Sequence, residues 1–180
     1  MSFAIAFTPN WLTVLRIVLI PSGVWAIFHS PSNLWQFIAW TIFFILGMTD
    51  ILDGYWARKS NRTTPLGAFL DPVADKALIG AAMISLVILD RFSLVVTIII
   101  LTREIGITIF RLAVIKDGVI PASKSGKIKA LLQNFGVGFY IMPLPDVLHP
   151  LRDGLMAVAV IVTIWSGFQY INSWYRAQRS

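Results

Sequence analysis

Long apolar runs separated by short polar breaks form the pattern of this chain. As helices rising about 1.5 Å per residue, the runs are long enough to cross the roughly 30 Å hydrocarbon core of a bilayer. The pattern predicts an all-α, polytopic membrane protein with six transmembrane helices in a single domain over residues 1–180. The predicted spans are 11–28, 34–57, 67–89 and 92–115, a fifth that follows a basic connection at 116–129 and ends near residue 142, and a sixth at 151–175.

The composition excludes an ordinary soluble domain. Hydrophobic residues make up 57% of the 180 residues, and the mean hydropathy is +0.74, both too high for that class. The net charge of +6 would suggest nucleic acid as the partner of a soluble protein. In a membrane protein, basic cytoplasmic loops and anionic headgroups explain it better, so we expect bilayer lipids and no nucleic acid as partners.

Basic residues collect on one side of the predicted spans, after the second, fourth and sixth. The opposite side has only Arg91 and Arg152. By the positive-inside rule, both termini lie in the cytoplasm and the protein crosses the cell (inner) membrane several times. The residues on the predicted cytoplasmic side are Arg58, Lys59, Arg62, Lys116, Lys124, Lys127, Lys129, Arg176 and Arg179.

Four carboxylates interrupt the apolar pattern, and each would cost roughly 2.5–3.5 kcal/mol at the centre of a membrane helix if nothing neutralised it. At 100° per residue, Asp50 and Asp53 share one helix face, and Asp71 and Asp75 share a face of the next helix. An oxygen-only cluster suits hard cations, so we expect Mg²⁺ or Mn²⁺, and two such ions would cancel four charges. The chain has no Cys and no His nearby, which disfavours zinc. The same faces carry small or basic residues: Gly54, Ala57, Arg58 and Gly67.

Each of these residues, considered alone, also has a simpler structural interpretation. Asp71 followed by Pro72 could be an N-cap with proline at the first helical position. Asp50 and Asp53 could be charges at a helix end, and Gly54 and Ala57 could be packing residues. The complete set at these intervals favours a site.

The stretch from Asp50 to Asp75 reads D-x2-D-G-x2-A-R-x8-G-x3-D-x3-D. It resembles, without a substituted position, the signature of the CDP-alcohol phosphotransferases, integral membrane enzymes that join an alcohol to a phosphate from a CDP-linked donor and release CMP. The resemblance implies that Asp50, Asp53, Asp71 and Asp75 bind metal, and that Asp75 is also the general base. It implies a cytidine diphosphate site made of Asp50, Asp53, Gly54, Ala57, Arg58 and Gly67, with Asn10 and Thr13.

A second polar group follows in the fourth span. Arg103 and Arg111 lie eight residues apart and share a helix face, and an intramembrane arginine suggests function. With the lysines they could form a pocket for the acceptor phosphate beside the metal site. Alternatively, Arg103 pairs with Glu104 or an aspartate, Arg111 reaches the headgroups, and the lysines only mark the cytoplasmic side. The lysines concerned are Lys124, Lys127 and Lys129.

The surrounding sequence resembles the phosphatidylglycerophosphate synthase branch of that family. The matching segments are P-N-x2-T-x2-R from Pro9, R-E-I from Arg103, S-G-K-I-K from Ser125, and S-G-x2-Y from Ser166. This resemblance implies CDP-diacylglycerol as donor, sn-glycerol 3-phosphate as acceptor, an active site at the cytoplasmic side, and a homodimer. The alternatives are another phosphotransferase of the family, such as a phosphatidylinositol phosphate synthase, and more remotely a cation transporter. A transporter would not require small residues at fixed intervals, and a purely structural role leaves the carboxylates unexplained.

Overall fold

The computed structural model describes the backbone of residues 9–60, 65–114 and 124–177 and the side chains of residues 14–49, 73–110, 113–114, 126 and 128–176. Within these ranges every regular element is helical, which confirms the all-α prediction. The elements are α1 (Pro9–His29), α2 (Asn33–Ser60), α3 (Pro65–Ile88), α4 (Leu94–Ala113), α5 (Lys124–Ile141), a 3-10 turn (Asp146–Leu148) and α6 (His149–Ala177).

The six helices agree with the six predicted spans except at the start of α5. The predicted connection at 116–129 is wrong in its second half, because α5 already begins at Lys124. The segment K-S-G-K-I-K resembles a polar loop in sequence. In the helix, Lys129 is buried at 7% exposure and pairs with a carboxylate on another helix.

Among the described residues, only the segment Asp146–Arg176 is long and apolar enough to cross a membrane. Val14–His29 and Asn33–Thr49 are shorter apolar stretches. Six spans, their orientation and the side on which the termini lie therefore remain predictions.

The first of two compact units covers residues 1–85. Its helices α1 and α2 pack together across a short turn, where the Gln36 side chain donates to the Pro31 carbonyl at 2.7 Å. Small residues lie at this contact: a Cβ on Gly23 would be in ordinary van der Waals contact with Ile42 at 3.5 Å, and Ala26 and Ala39 are each 1% exposed. Small residues of this kind are common where helices pack in apolar surroundings.

The second unit covers residues 86–180, and in it α6 packs against both α4 and α5. A Cβ on Gly136 would lie 2.7 Å from the methyl of Met156, so a larger residue there would require the Met156 side chain to move. The side chains of Val137 and Ala159 are completely buried. The outward faces are apolar and exposed, as expected for helices that contact lipid. They include Ile98, Ile105, Ile109, Val158, Ile161 and Phe168.

The connection between α3 and α4 is a tight turn at Asp90 and Arg91, in the gap between the predicted spans 67–89 and 92–115. Asp90 has a positive φ of 55°, which lets the chain reverse within a few residues. The guanidinium of Arg91 then donates to the Tyr140 carbonyl at 3.0 Å. This contact satisfies a carbonyl in the last turn of α5, which has no partner within the helix itself. Ser93 caps α4, accepting from the Val96 backbone N–H.

Candidate functional site

The carboxylate motif lies on two consecutive helices, as the spacing predicts. Asp50 and Asp53 belong to α2, which continues past both to Ser60, so they are not helix-end charges. Asp71 and Asp75 belong to α3, which begins at Pro65. The interpretation of Asp71 as an N-cap is therefore wrong, because the helix starts one and a half turns or more before it. A continuous helix gives each pair of carboxylates a common face.

The described side chains contain only one member of this motif. Asp75 is partly buried and takes part in an interaction with its surroundings. Among the described side chains there is no group of three or more potential metal ligands. The remaining predicted residues of the metal and cytidine diphosphate sites lie outside the described side chains, and their roles stay predictions. They are Asn10, Thr13, Asp50, Asp53, Gly54, Ala57, Arg58, Gly67 and Asp71.

The donor set nonetheless fits a hard divalent cation. Asp50 and Asp53 lie three residues apart on one helix, and Asp71 and Asp75 lie four apart on the next, so each helix can present two carboxylates together. Carboxylate oxygens are the ligands that Mg²⁺ and Mn²⁺ prefer. No thiolate competes, since the chain has no cysteine.

In the second unit, Arg103 on α4 is the centre of a polar network that reaches α6. Its Nε donates to the Thr163 carbonyl at 3.1 Å, and one terminal nitrogen donates to the Ser166 hydroxyl at 2.7 Å. The other terminal nitrogen donates to Glu104 Oε1 at 3.0 Å. A Cβ on Gly167 would lie 3.4 Å from Arg103 Nε, so the glycine leaves the room that the guanidinium occupies.

Glu104 extends this network to α5. The same Oε1 that accepts from Arg103 also accepts from the Lys129 ammonium. Farther along α5, the Gln133 amide donates to the Thr163 hydroxyl at 2.8 Å. Glu104, Lys129, Gln133 and Thr163 are all less than a tenth exposed. Three helices are therefore joined by hydrogen bonds whose partners are shielded from solvent.

This network relates in two ways to the predicted acceptor site. It brings together two predicted residues, Arg103 and Lys129, and it contains the Arg103–Glu104 pair of the alternative interpretation. Whether these cations bind the acceptor phosphate stays a prediction. The side chains of Arg111, Lys124 and Lys127 lie outside the described ones.

Sequence reasoning named Glu104 only as an alternative partner of Arg103, and it gave no role to Gln133, Thr163 and Ser166. One signal was available for Glu104, because a carboxylate beside an arginine within an apolar helix must be neutralised. The hydroxyl and amide partners had no comparable signal. Ser and Thr occur throughout apolar helices, where they commonly bond to the carbonyl one turn earlier, as Thr163 also does to Ala159.

Comparison with known proteins agrees with the resemblance in the motifs. The profile of the CDP-alcohol phosphatidyltransferase family matches residues 6–165. A probable phosphatidylglycerophosphate synthase of Mycobacterium tuberculosis is 43% identical over 172 residues, covering 93% of this chain and 81% of that protein. The CDP-diacylglycerol–glycerol-3-phosphate 3-phosphatidyltransferases of Haemophilus influenzae and Bacillus subtilis are 40% and 36% identical, covering 91% and 96% of this chain and 91% and 97% of their own lengths. The chain therefore belongs to the CDP-alcohol phosphatidyltransferase family.

Proposed function

We propose that this protein transfers the phosphatidyl group of CDP-diacylglycerol to sn-glycerol 3-phosphate, giving phosphatidylglycerophosphate and CMP. The observation that carries the proposal is the similarity, over more than nine-tenths of the chain, to enzymes that bear the name of this reaction. The intact carboxylate motif supports it, because each residue that the chemistry requires is present in order.

On the donor side, the carboxylates of Asp50, Asp53, Asp71 and Asp75 would hold Mg²⁺ or Mn²⁺, in a site for two ions. The bound ions would supply positive charge to neutralise the diphosphate, which would favour departure of CMP. The small residues let the donor approach the helix backbones closely, and Arg58 offers a planar fork to a phosphate. The cytidine diphosphate site consists of Asp50, Asp53, Gly54, Ala57, Arg58 and Gly67, with Asn10 and Thr13.

In the transfer itself, the acceptor hydroxyl oxygen forms a bond to the β-phosphorus, the one that carries the diacylglycerol. The bond from that phosphorus to the bridging oxygen breaks, and the bridging oxygen leaves with CMP. Asp75 takes the proton of the attacking hydroxyl. A carboxylate with an ordinary pKa is a weak base, so correct positioning of the hydroxyl must supply much of the rate.

On the acceptor side, a phosphorylated alcohol needs cations, and the network around Glu104 supplies two of them. Arg103 uses three donors on Thr163, Glu104 and Ser166. A guanidinium has five N–H donors, so two more can serve a phosphate oxygen. The remaining candidates are Arg111, Lys124 and Lys127, with Lys129 as the second cation of the network.

The surroundings of the reaction follow from the substrates. Because the donor is a lipid, the protein lies in the inner membrane and crosses it several times. Because CMP is soluble in water, the active site lies at the cytoplasmic side, where CMP can be released. Enzymes of this family are membrane-bound, and the exposed apolar faces of the second unit favour contact with bilayer lipids. We propose a homodimer as the working assembly.

The test is release of CMP from CDP-diacylglycerol by detergent-purified protein with sn-glycerol 3-phosphate as acceptor. Activity should require Mg²⁺ or Mn²⁺ and should be lost with EDTA and restored by added metal. Inositol phosphate, supplied in parallel, should give little product. Preference for inositol phosphate would contradict the acceptor assignment, and full turnover without metal would contradict the metal site.

A further inference from the structure

The end of α1 and the start of α2 carry three aromatic rings in contact, which we call the Trp–His–Trp cluster. Trp25 and His29 lie one turn apart on α1, with their ring centroids 4.4 Å apart. Trp35 lies on α2, with its ring centroid 4.0 Å from that of His29 and 5.5 Å from that of Trp25, edge to face. The cluster therefore lies at the tip of the α1–α2 hairpin, within the first unit.

Packing between the two helices does not account for rings as large as these in so open a position. Trp25 is 56% exposed, His29 is exposed, and Trp35 is only partly buried. Within the part of the chain that the structure describes, no hydrogen bond is made by the two indole nitrogens or by the imidazole. The cluster thus presents apolar ring surface and hydrogen-bonding nitrogens at the same place.

The surface around the cluster changes from apolar to polar over a few residues. Toward the middle of the hairpin, the exposed side chains are apolar, and beyond the cluster lies the polar turn at 30–33. His29 is the only ionisable residue between Arg16 and Asp50. An apolar surface that ends in tryptophan rings and then in polar residues follows the order of hydrocarbon, headgroups and water in a bilayer. The exposed apolar side chains include Val14, Val18, Phe37, Phe44 and Ile45.

We propose that the Trp–His–Trp cluster is a contact for phospholipid headgroups, which holds the tip of the hairpin at the membrane surface opposite Asp50 and Asp53. At the level of the glycerol and phosphate groups, indole and imidazole N–H groups can donate to phosphate and ester oxygens. The partner is a bilayer surface and not a soluble phosphate, because the exposed apolar side chains beside the cluster must be covered at the same time.

The length of α2 determines where the two carboxylates lie. At about 1.5 Å per residue, Asp50 lies about 22 Å and Asp53 about 27 Å along the helix axis from Trp35. The hydrocarbon core is about 30 Å thick, so a helix anchored at Trp35 brings both carboxylates to the opposite headgroup layer. This step rests on the proposed function, in which the carboxylates act at the cytoplasmic side, and it places the cluster at the outer side.

Tryptophan fluorescence tests the depth of the cluster in full-length protein reconstituted into vesicles of phosphatidylcholine and phosphatidylglycerol. The emission lost in the double variant Trp25→Phe/Trp35→Phe is the emission of the cluster. A lipid with a nitroxide on its headgroup should quench this emission strongly, and a lipid with a nitroxide at the end of an acyl chain should quench it weakly. If the double variant cannot be purified, Trp25→Phe alone removes the more exposed ring, and the same order is expected.

Trp165→Phe is the matched control for depth. Trp165 is also a largely exposed tryptophan, at 61%, but it lies about halfway along α6. The emission lost in this variant should show the opposite order of quenching. His29→Phe tests the imidazole, because it keeps an aromatic ring and removes both nitrogens. Headgroup quenching of the cluster should fall in this variant, and an unchanged pattern would contradict the part of His29 in the contact.

The side of the membrane is tested with single thiols, since the chain has no cysteine. Ser32 directly precedes α2, and Ser60 is its last residue. In intact cells, a membrane-impermeant maleimide should label Ser32→Cys but not Ser60→Cys. After the cells are permeabilised, Ser60→Cys should be labelled as well.

Three results would overturn the inference. Stronger quenching of the cluster by the acyl-chain label would place the rings in the hydrocarbon. Quenching by neither label would mean that a second copy of the chain or water covers them. Labelling of both thiols in intact cells, or of Ser60→Cys alone, would contradict the placement across the membrane.

CMP release in detergent separates these results from a failure of the proposed function. The variant Trp25→Phe/Trp35→Phe should keep the turnover of the unmodified protein, because the cluster contacts lipid and takes no part in the reaction. An unmodified protein that releases no CMP would refute the proposed function, and the depth of the cluster would still be measured by the quenching.

Discussion

Replacing Arg103 by lysine tests how much the planar guanidinium contributes to the second unit. The arginine makes three hydrogen bonds in three directions, to Thr163, Glu104 and Ser166. A lysine ammonium is a single centre on a shorter chain, so it can keep about one of them. Charge is retained in Arg103→Lys, and the change therefore isolates geometry.

The expected loss of stability follows from the two hydrogen bonds that the lysine cannot make. Hydrogen bonds between membrane helices average about 0.6 kcal/mol, and bonds in soluble proteins contribute roughly 0.5–1.5 kcal/mol each. Two bonds then correspond to about 1–3 kcal/mol. For a chain of this size, about 1 kcal/mol shifts the thermal midpoint by roughly 2–4 °C, so the variant should melt about 2–12 °C lower.

The assay is thermal unfolding of the detergent-purified variant in the absence of substrates. Arg176→Lys, at an exposed position near the end of α6, is the control, because surface exchanges of this kind usually change stability by less than about 0.5 kcal/mol. An Arg103→Lys variant that melts together with the control would refute the reasoning. The guanidinium contacts would then contribute nothing measurable to helix association.

Three further predictions concern the reaction. Asp75→Asn should abolish turnover but largely preserve binding of CDP-diacylglycerol, measured by equilibrium binding, and a severe loss of donor affinity would make Asp75 chiefly a metal ligand. Arg111→Ala should raise the KM for sn-glycerol 3-phosphate at least about tenfold, since one charge-assisted bond is lost. The measurement is steady-state kinetics with both substrates, and an equal rise of the two KM values would contradict the prediction. Gly167→Val should raise the acceptor KM by crowding Arg103. Gly154→Val is its control, because a Cβ there meets nothing within 4 Å, and equal effects of the two changes would exclude crowding as the cause.

The apolar runs were enough to predict the number and order of the helices, because a backbone in apolar surroundings must satisfy its hydrogen bonds internally. The spacing of the carboxylates was enough to place them on two helices. The start of α5 was not predictable in this way, since Lys129 is stabilised by Glu104, 25 residues earlier on a different helix. The residues next to Lys129 in the sequence do not indicate that Glu104 is its partner.

The partners within the polar network around Arg103 could not be predicted from the sequence for the same reason. Arg103 contacts residues 60 and 63 positions later in the chain, and only the packing of α4 on α6 brings them together. The sequence could offer Glu104 as a partner for Arg103 because the two are adjacent. It could not indicate that the carboxylate would also bind Lys129. Nor could it indicate that a hydroxyl and a carbonyl would accept hydrogen bonds from the guanidinium.

The adjacency of Arg103 and Glu104 has a consequence for the order of membrane insertion. A helix that enters the bilayer with two separate charges faces a cost of several kcal/mol before its neighbours arrive. Here the two side chains contact each other within α4 at 3.0 Å, so the pair is neutralised as soon as that helix forms. Lys129 follows during synthesis of α5, and Thr163 and Ser166 follow with α6. If α4 enters the bilayer before α5 and α6 are made, Arg103 therefore already has a neutralising partner on its own helix, and Lys129 arrives when its carboxylate is in place.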